Sequence, residues 1–108
     1  SPSQGPFVST ACGTFTGEWE SSSDSVAAFR GIRFGRVRRW LPPDEVCADP
    51  YEILPATANG PACLMPGTSH EGQDEQCLYL NIFTPWFTQE TIAFRSSRRL
   101  PIVAYIHG

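Results

Sequence analysis

The sequence contains no lysine, and all eight of its basic residues are arginine. It also lacks a hydrophobic signal segment and any apolar run long enough to cross a bilayer. No convincing amphipathic helix is present, because ten prolines and nine glycines interrupt the chain at short intervals. The formal net charge of -3 gives no electrostatic reason to expect a nucleic-acid partner. These absences favour a protein of turns and short strands, with no membrane span in this chain and no nucleic acid as its partner.

Two apolar segments dominate what is present: residues 77–85 (CLYLNIFTP) and residues 100–108 (LPIVAYIHG). In an extended chain, successive side chains of the first segment point to opposite faces, and both faces carry large apolar groups. The second segment is apolar from residue 102 to residue 106. Such short runs, rich in β-branched and aromatic residues, predict buried central strands. Because strands buried on both faces need other polypeptide to cover them, we expect the chain to be incomplete.

The rest of the sequence predicts short strands joined by long connections. Residues 7–19 contain brief polar–apolar alternations and predict a small antiparallel ribbon with a tight turn at Cys12 and Gly13. Residues 26–34 predict the next strand. Composition predicts irregular structure elsewhere: a polar lead at residues 1–6, a serine-rich loop at 21–25, a proline-rich stretch at 41–60 whose residues 51–54 are a candidate short strand or helical turn, and polar loops at 64–76 and 86–99.

The segment at residues 74–82 (DEQCLYLNI) closely resembles the S-E-D-C-L-Y-L-N signature of type-B carboxylesterases and cholinesterases. Residues 100–108 resemble the L-P-V-x-V-W-I-H-G strand that leads into the oxyanion-hole glycines of that family. The resemblance extends from about Gly13 to Gly108 but covers only the beginning of a family domain. It implies the N-terminal part of an α/β hydrolase, in which a small antiparallel β ribbon is followed by the first long strands of the central mixed sheet, with loop-rich connections. Residues 1–108 would then form an incomplete N-terminal portion of that domain.

The sequence departs from the family pattern at two places. Residues 26–34 resemble the family segment V-x-x-F-x-G-I-P-Y-A, but Arg33 stands where the first proline would be, and the loop from Gly35 to Trp40 is shortened. Gln76 stands where the family has an aspartate. We expect this second change to weaken any charge-assisted hydrogen bond made at that point.

Four cysteines, an even number, fit an oxidising compartment. The resemblance implies a disulfide between Cys63 and Cys77, which in the chain-entropy model would stabilise the protein by roughly 3 kcal/mol. Two free thiols would be the alternative in a cytosolic protein. Sequence spacing leaves open whether Cys12 and Cys47 also pair. The cysteines and the resemblance together predict a secreted or extracellular protein, or one of the ER lumen.

The resemblance also implies two structural features near the predicted disulfide loop and at the end of the chain. Arg39 and Glu75 match residues that form a buried ion pair in the family, and such a pair specifies structure without doing chemistry. His107 and Gly108 match the start of the H-G-G-G-type turn whose later glycines donate backbone N–H groups to the oxyanion. His107 would be a structural residue of that turn and not the general base.

The resemblance implies hydrolysis of a small-molecule ester through a serine acyl-enzyme, with no cofactor. The G-x-S-x-G motif that would carry the nucleophile is absent from these residues, as are the acid and the histidine that follow it in chain order. We therefore expect no catalytic residue in this chain, which would be inactive alone and would need the remainder of the hydrolase domain as its partner. Two alternatives stay open: a fragment of a catalytically dead, neuroligin-like adhesion protein, and a truncated gene product without independent function.

Two other candidate sites are less favoured. Ser69 and His70 lie in a polar loop without visible oxyanion donors, so a local catalytic arrangement is not expected. His70 with Glu71 and the nearby Asp74 and Glu75 does not match the helical H-E-x-x-H spacing, so we predict a solvated loop and no metal site.

Residues 36–39 (RVRR) resemble a dibasic processing site for proteases of the secretory pathway. Because Arg39 is also the expected partner of Glu75 in an ion pair, we do not expect cleavage at this position in the folded protein.

Overall fold

The structure is a computed structural model that describes residues 5–20, 26–85 and 100–108. No residue in these ranges lies in a helix, and none of them therefore forms a helix that could cross a membrane. The described residues form eight strands: β1 (Phe7–Thr10), β2 (Gly13–Thr16), β3 (Glu18–Trp19), β4 (Val26–Arg33), β5 (Gly35–Arg36), β6 (Asp44–Glu45), β7 (Ile53–Pro55) and β8 (Tyr79–Pro85). The loops predicted at residues 21–25 and 86–99, and most of the lead before residue 7, lie outside the described residues.

The first sheet is mixed and has the order β1-β2-β7. Strands β1 and β2 form an antiparallel hairpin, as predicted, and the Thr10 hydroxyl closes its turn by donating to the Gly13 carbonyl and accepting from the Cys12 N–H. Strand β7 pairs in parallel with β2, with Phe15 opposite Leu54. The short strand predicted at residues 51–54 is therefore confirmed as β7, one residue or two farther along the chain.

The second sheet is antiparallel, with the order β3-β4-β8. Strand β4 is its central strand and pairs with β8 from Val26 opposite Pro85 to Arg33 opposite Tyr79, with a register shift between Phe29 and Ile32. A separate antiparallel ribbon, β5 with β6, forms where the sequence is shorter than the family pattern. The sequence did not predict β6, because its two residues give no periodic pattern.

The hydrophobic core is small and consists of Ala27, Phe29 and Ala56, against which Phe15, Trp19 and Ile32 pack. It therefore lies between the two three-stranded sheets. Arg30 borders this core on β4, where its guanidinium bonds the Glu18 and Glu20 carboxylates and lies 5.2 Å from the centre of the Phe83 ring. A core of this size leaves most large apolar side chains at the surface.

The prediction of two buried central strands is confirmed in part: residues 77–85 contain a strand, residues 100–108 do not, and neither segment is buried in this structure. The first segment forms β8, but Leu80, Ile82 and Phe83 remain 38%, 46% and 54% exposed. Residues 100–108 form no strand and are all exposed. The reason is physical: within the described part of the chain, β8 has a strand on one edge only, and residues 100–108 have no strand beside them with which to form ladder hydrogen bonds.

Candidate functional site

A disulfide closes the loop that precedes the C-L-Y-L-N segment. The structure joins Cys63 to Cys77, the pair implied by the resemblance, with their Cα atoms 5.1 Å apart. It also joins Cys12 to Cys47, the pair that the sequence left open, with a Cα–Cα distance of 4.6 Å. This second bridge ties the turn after β1 to the segment between β6 and β7.

The loop between Cys63 and Cys77 is organised by one side chain, Gln73. Its Oε1 accepts from the Met65 N–H and its Nε2 donates to the Thr68 hydroxyl, each over 3.1 Å. The Thr68 hydroxyl in turn donates to the Met65 carbonyl over 2.8 Å. The loop is polar, as predicted from its composition, but it has a defined internal hydrogen-bond network that composition could not indicate.

Arg39 and Glu75 form a multiply hydrogen-bonded ion pair beside this loop. Nε of Arg39 donates to both carboxylate oxygens over 3.0 and 2.9 Å, and Nη2 lies 2.9 Å from Oε1. The side chains are 74% and 32% exposed, so the pair lies at the surface and not in the buried position that the resemblance implied. The next residue, Trp40, is exposed as well.

The ion pair shifts the pKa values of both groups. The hydrogen bond from Arg39 lowers the pKa of the Glu75 carboxyl below its ordinary value, and the positive charge acts in the same direction. The hydrogen bond to Glu75 and its negative charge raise the pKa of the Arg39 guanidinium. Both shifts favour the charged forms, which supports a structural role for this pair and leaves neither group available as a general acid near neutral pH.

Gln76, which stands in place of the family aspartate, holds the shortened loop. Its Oε1 accepts from the Val37 N–H over 2.9 Å, and its Nε2 donates to the Val37 carbonyl over 3.0 Å. The same Oε1 accepts from Nη2 of Arg33 over 3.0 Å. A hydrogen bond from the charged Arg33 is thus retained at this point, and the amide adds a donor that a carboxylate lacks. That this bond is weaker than one to a carboxylate stays a prediction.

Asn81 of the C-L-Y-L-N segment forms a hydrogen bond with the backbone of the neighbouring strand β4 at its register shift. Gly31 lies at the register shift in β4 with φ of +76°, and its N–H donates to Oδ1 of Asn81 over 2.9 Å. Nδ2 of Asn81 donates to Oδ1 of Asn59 over 3.0 Å. The sequence did not predict this role of Asn81, because its two partners lie far from it along the chain.

His107 and Gly108 lie at the exposed end of residues 100–108. Nδ1 of His107 is 3.0 Å from the Gly108 oxygen. The role of these two residues as the start of an oxyanion turn stays a prediction.

The other polar candidates are dispersed. The Ser69 hydroxyl accepts from the Glu71 N–H over 3.4 Å, and the His70 carbonyl accepts from the Gln73 N–H over 3.1 Å. Neither contact joins the serine hydroxyl to the imidazole. In residues 5–20, 26–85 and 100–108, no three His, Cys, Asp or Glu side chains are grouped as metal ligands would be.

Comparison with known proteins gives consistent matches to esterases. Carboxylesterase 1F of Mus musculus is 32% identical over 130 aligned positions, which cover 99% of this chain and 22% of the mouse protein. Para-nitrobenzyl esterase of Bacillus subtilis (strain 168) is 32% identical over 115 positions, which cover 94% of this chain and 21% of the bacterial protein. The chain thus spans about a fifth of the length of these relatives.

A solved structure of a PNB esterase superposes with a TM-score of 0.56 at 32% identity, covering 73% of this chain and 16% of the esterase. The described strands therefore correspond to the N-terminal portion of the α/β-hydrolase fold. A family model described as "Carboxylesterase family" matches residues 4–108, nearly the whole sequence. Because this match covers nearly the whole sequence, the chain belongs to the carboxylesterase family.

Proposed function

We propose that this chain is the N-terminal portion of a serine ester hydrolase of the carboxylesterase type, and that it is inactive alone. In the whole enzyme a serine would attack the ester carbonyl and form an acyl-enzyme, with a histidine as general base and an acidic residue orienting it. No G-x-S-x-G motif occurs in the 108 residues, so the nucleophile would be supplied by other polypeptide of the same domain.

One observation carries this proposal: the uncovered apolar surface of the two segments that match the family's central strands. Ile102, Val103, Tyr105 and Ile106 are 91%, 95%, 89% and 91% exposed. Soluble monomers rarely expose contiguous apolar patches of large area. A continued central sheet, with helices on its faces, would bury these side chains and the exposed apolar residues of β8.

The site residues would then act as a scaffold for the oxyanion turn. The Cys63–Cys77 bridge and the Arg39–Glu75 pair both lie at the start of the segment that becomes β8, and they would fix its position in the sheet. His107 and Gly108 would begin the turn that presents backbone N–H groups to the developing oxyanion. Their contribution would be structural, since the donors themselves would come from later glycines.

The whole enzyme would act on a small-molecule ester in an oxidising compartment, either outside the cell or in the ER lumen. The two disulfides support this location, because such bridges persist where thiols are not kept reduced. The names of the matched relatives favour ester hydrolysis over the adhesion alternative. The identity of the residue at the nucleophile position of the whole protein would separate the two.

A graft tests the proposal. Residues 4–108 would replace the matched segment of the Bacillus subtilis esterase, and hydrolysis of a para-nitrobenzyl ester would be measured for the hybrid and for the isolated chain. We expect turnover that a serine-directed fluorophosphonate blocks in the hybrid and none in the isolated chain. The matched control is the same hybrid with the recipient's nucleophilic serine changed to alanine.

Two results would contradict the proposal. Fluorophosphonate-sensitive turnover by the isolated chain would show that it carries its own active site. A hybrid that is folded and monomeric but hydrolyses no more ester than its serine-to-alanine control would show that these residues cannot support an esterase active site.

A further inference from the structure

The arginines of this chain recur at a spacing of three residues, but one group differs from the others. The pairs Arg30–Arg33, Arg33–Arg36, Arg36–Arg39 and Arg95–Arg98 all share that spacing. Among these pairs, only Arg36–Arg39 has a further arginine directly before its second member, namely Arg38. Counting back from the peptide bond between Arg39 and Trp40, the first, second and fourth residues are therefore arginine.

The structure places this group at an exposed turn. Strand β5 ends at Arg36 and β6 begins at Asp44, so the residues between them lie in no strand. The turn is closed by the Leu41 N–H, which donates to the Arg38 carbonyl over 3.1 Å. Trp40, on the far side of the bond, is 97% exposed. Exposed turns outside strands are preferred sites of proteolytic nicking.

The arginine pairs nearer the N-terminus have a different setting. Arg30 and Arg33 both lie in β4, where Arg33 pairs with Tyr79 of β8 and Arg30 forms a bridge with Thr57. The bond after Arg36 follows β5, whose register places Arg36 opposite Asp44. A protease needs an extended, unpaired segment, so these ladder bonds protect the bonds after Arg33 and Arg36.

The ion pairs of the turn do not give similar protection. We therefore revise the expectation from the sequence that the Arg39–Glu75 pair prevents cleavage here, because that pair lies at the surface. Arg38 lies 3.1 Å from Asp44 and Arg39 lies 2.9 Å from Glu75, and all four side chains are at least 32% exposed. Exposed pairs of this kind are weak. Carboxylates in a protease cleft can therefore take the place of Asp44 and Glu75 as partners of the two guanidinium groups.

The backbone of Trp40 also favours opening of the turn. Its φ of 67° lies in the left-handed region, which is unfavourable for a bulky side chain. Binding in an extended conformation would release that strain. The turn residues surround an open depression of about 520 Å³, lined by Val37, Arg38, Arg39, Trp40, Leu41 and Glu75.

We propose that the bond between Arg39 and Trp40 is a proteolytic modification site, cut by an endoprotease with acidic subsites for arginine at those three positions. Hydrolysis breaks the C–N bond and consumes one water. Arg39 gains a terminal carboxylate, and Trp40 gains a terminal ammonium group. This proposal is independent of ester hydrolysis.

The two products of this cleavage would remain linked to each other. The Cys12–Cys47 disulfide spans the bond after Arg39 and would join the two products covalently. Strand pairing crosses the cut as well, because β2 pairs with β7 and β4 pairs with β8. The product is therefore a two-chain, disulfide-linked form with a new N-terminus at Trp40.

The test uses the full oxidised chain, incubated with a calcium-dependent dibasic proprotein convertase and, separately, with dilute trypsin. We expect the unreduced mass to increase by one water, and reduction to release fragments 1–39 and 40–108. Arg36→Gln should slow cleavage by the convertase roughly 10²-fold, because an arginine subsite discriminates strongly against a neutral side chain. Arg95→Gln, the matched control, should leave the convertase rate unchanged.

Trypsin reads only the arginine next to the bond, so it should cut Arg36→Gln and the unmodified chain at Arg39 with the same rate. That equality shows that Arg36→Gln leaves the turn folded as before. First cleavage after Arg33, Arg36, Arg98 or Arg99 would overturn the proposal. So would an intact chain at a convertase concentration that cuts a peptide of residues 34–43, or separation of the fragments without reduction.

Discussion

Arg33 and Gln76, two residues at which the sequence departs from the carboxylesterase pattern, are hydrogen-bonded to each other. Nη2 of Arg33 donates to Oε1 of Gln76 over 3.0 Å, and Nε of Arg33 donates to the Gly35 carbonyl over 3.2 Å. Gln76 then holds both peptide groups of Val37. The two changes therefore act together and attach the shortened loop to the segment that leads into β8.

Gln76→Leu should release Val37. This change removes both hydrogen bonds to that residue, and each such bond contributes about 1 kcal/mol. We expect the Val37 amide to exchange with solvent at least roughly fivefold faster, measured by NMR hydrogen exchange. Gln73→Leu, a matched change within the disulfide loop, should leave Val37 exchange unaltered. Equal protection in the Gln76 variant would contradict this account of the loop.

The Arg39–Glu75 pair gives a prediction about pH. Because Arg39 lowers the pKa of Glu75 below its ordinary value of 4.5, the stabilisation from this pair is present above that value and is lost as pH falls through the lowered folded-state pKa. The raised pKa of Arg39 acts only in strong alkali and adds nothing in this range. Arg39→Gln should raise the Glu75 midpoint toward 4.5 in a side-chain carboxyl NMR titration.

Arg36→Gln is the matched control for that titration, since Arg39 and not Arg36 bonds Glu75. It should leave the Glu75 midpoint where it is in the unmodified chain. If both variants shift the midpoint equally, the general positive charge of the loop and not the specific hydrogen bond would be the cause.

The two disulfides should differ in their contribution to stability. In the chain-entropy model the stabilisation grows with the number of residues enclosed, and the sequence separations are 35 for Cys12–Cys47 and 14 for Cys63–Cys77. Double substitution to serine should lower the free energy of unfolding by about 4 kcal/mol for the first pair and about 3 kcal/mol for the second. Urea unfolding monitored by tryptophan fluorescence measures both, and the reverse order would contradict the entropic account.

Gly31→Ala should destabilise the second sheet. A Cβ at this position would clash with the Ala58 carbonyl oxygen, in addition to the strain of a φ of +76°. Gly67→Ala is the matched control, because Gly67 has the same φ but nothing within 4 Å of the added atom. We expect a loss of about 1–2 kcal/mol for Gly67→Ala from the backbone alone. The free energy of unfolding should fall further for Gly31→Ala. Equal losses for the two variants in urea unfolding would show that the contact with the Ala58 carbonyl is not a cause.

The sequence predicted where most strands lie, but not which distant residues contact them. The hairpin at residues 7–19, the strand β4 and the strand β8 follow from local alternation and turn residues, which depend on neighbours along the chain. The exposure of residues 100–108 does not follow from local alternation. Periodicity indicates which faces are apolar, but not which polypeptide lies against them. The contacts of Asn81 with Gly31 and of Gln76 with Val37 join residues far apart in sequence, and no local pattern encodes them.

The pairing of early strands with late ones has a consequence for synthesis of the protein. β2 emerges from the ribosome before its parallel partner β7, and β4 likewise precedes β8 by some fifty residues. The nascent chain therefore passes through a long interval in which its first strands have open edges and Cys12 has no Cys47 to oxidise with. Chaperones that shield unpaired strand edges, and oxidoreductases that rearrange premature disulfides, would act during that interval.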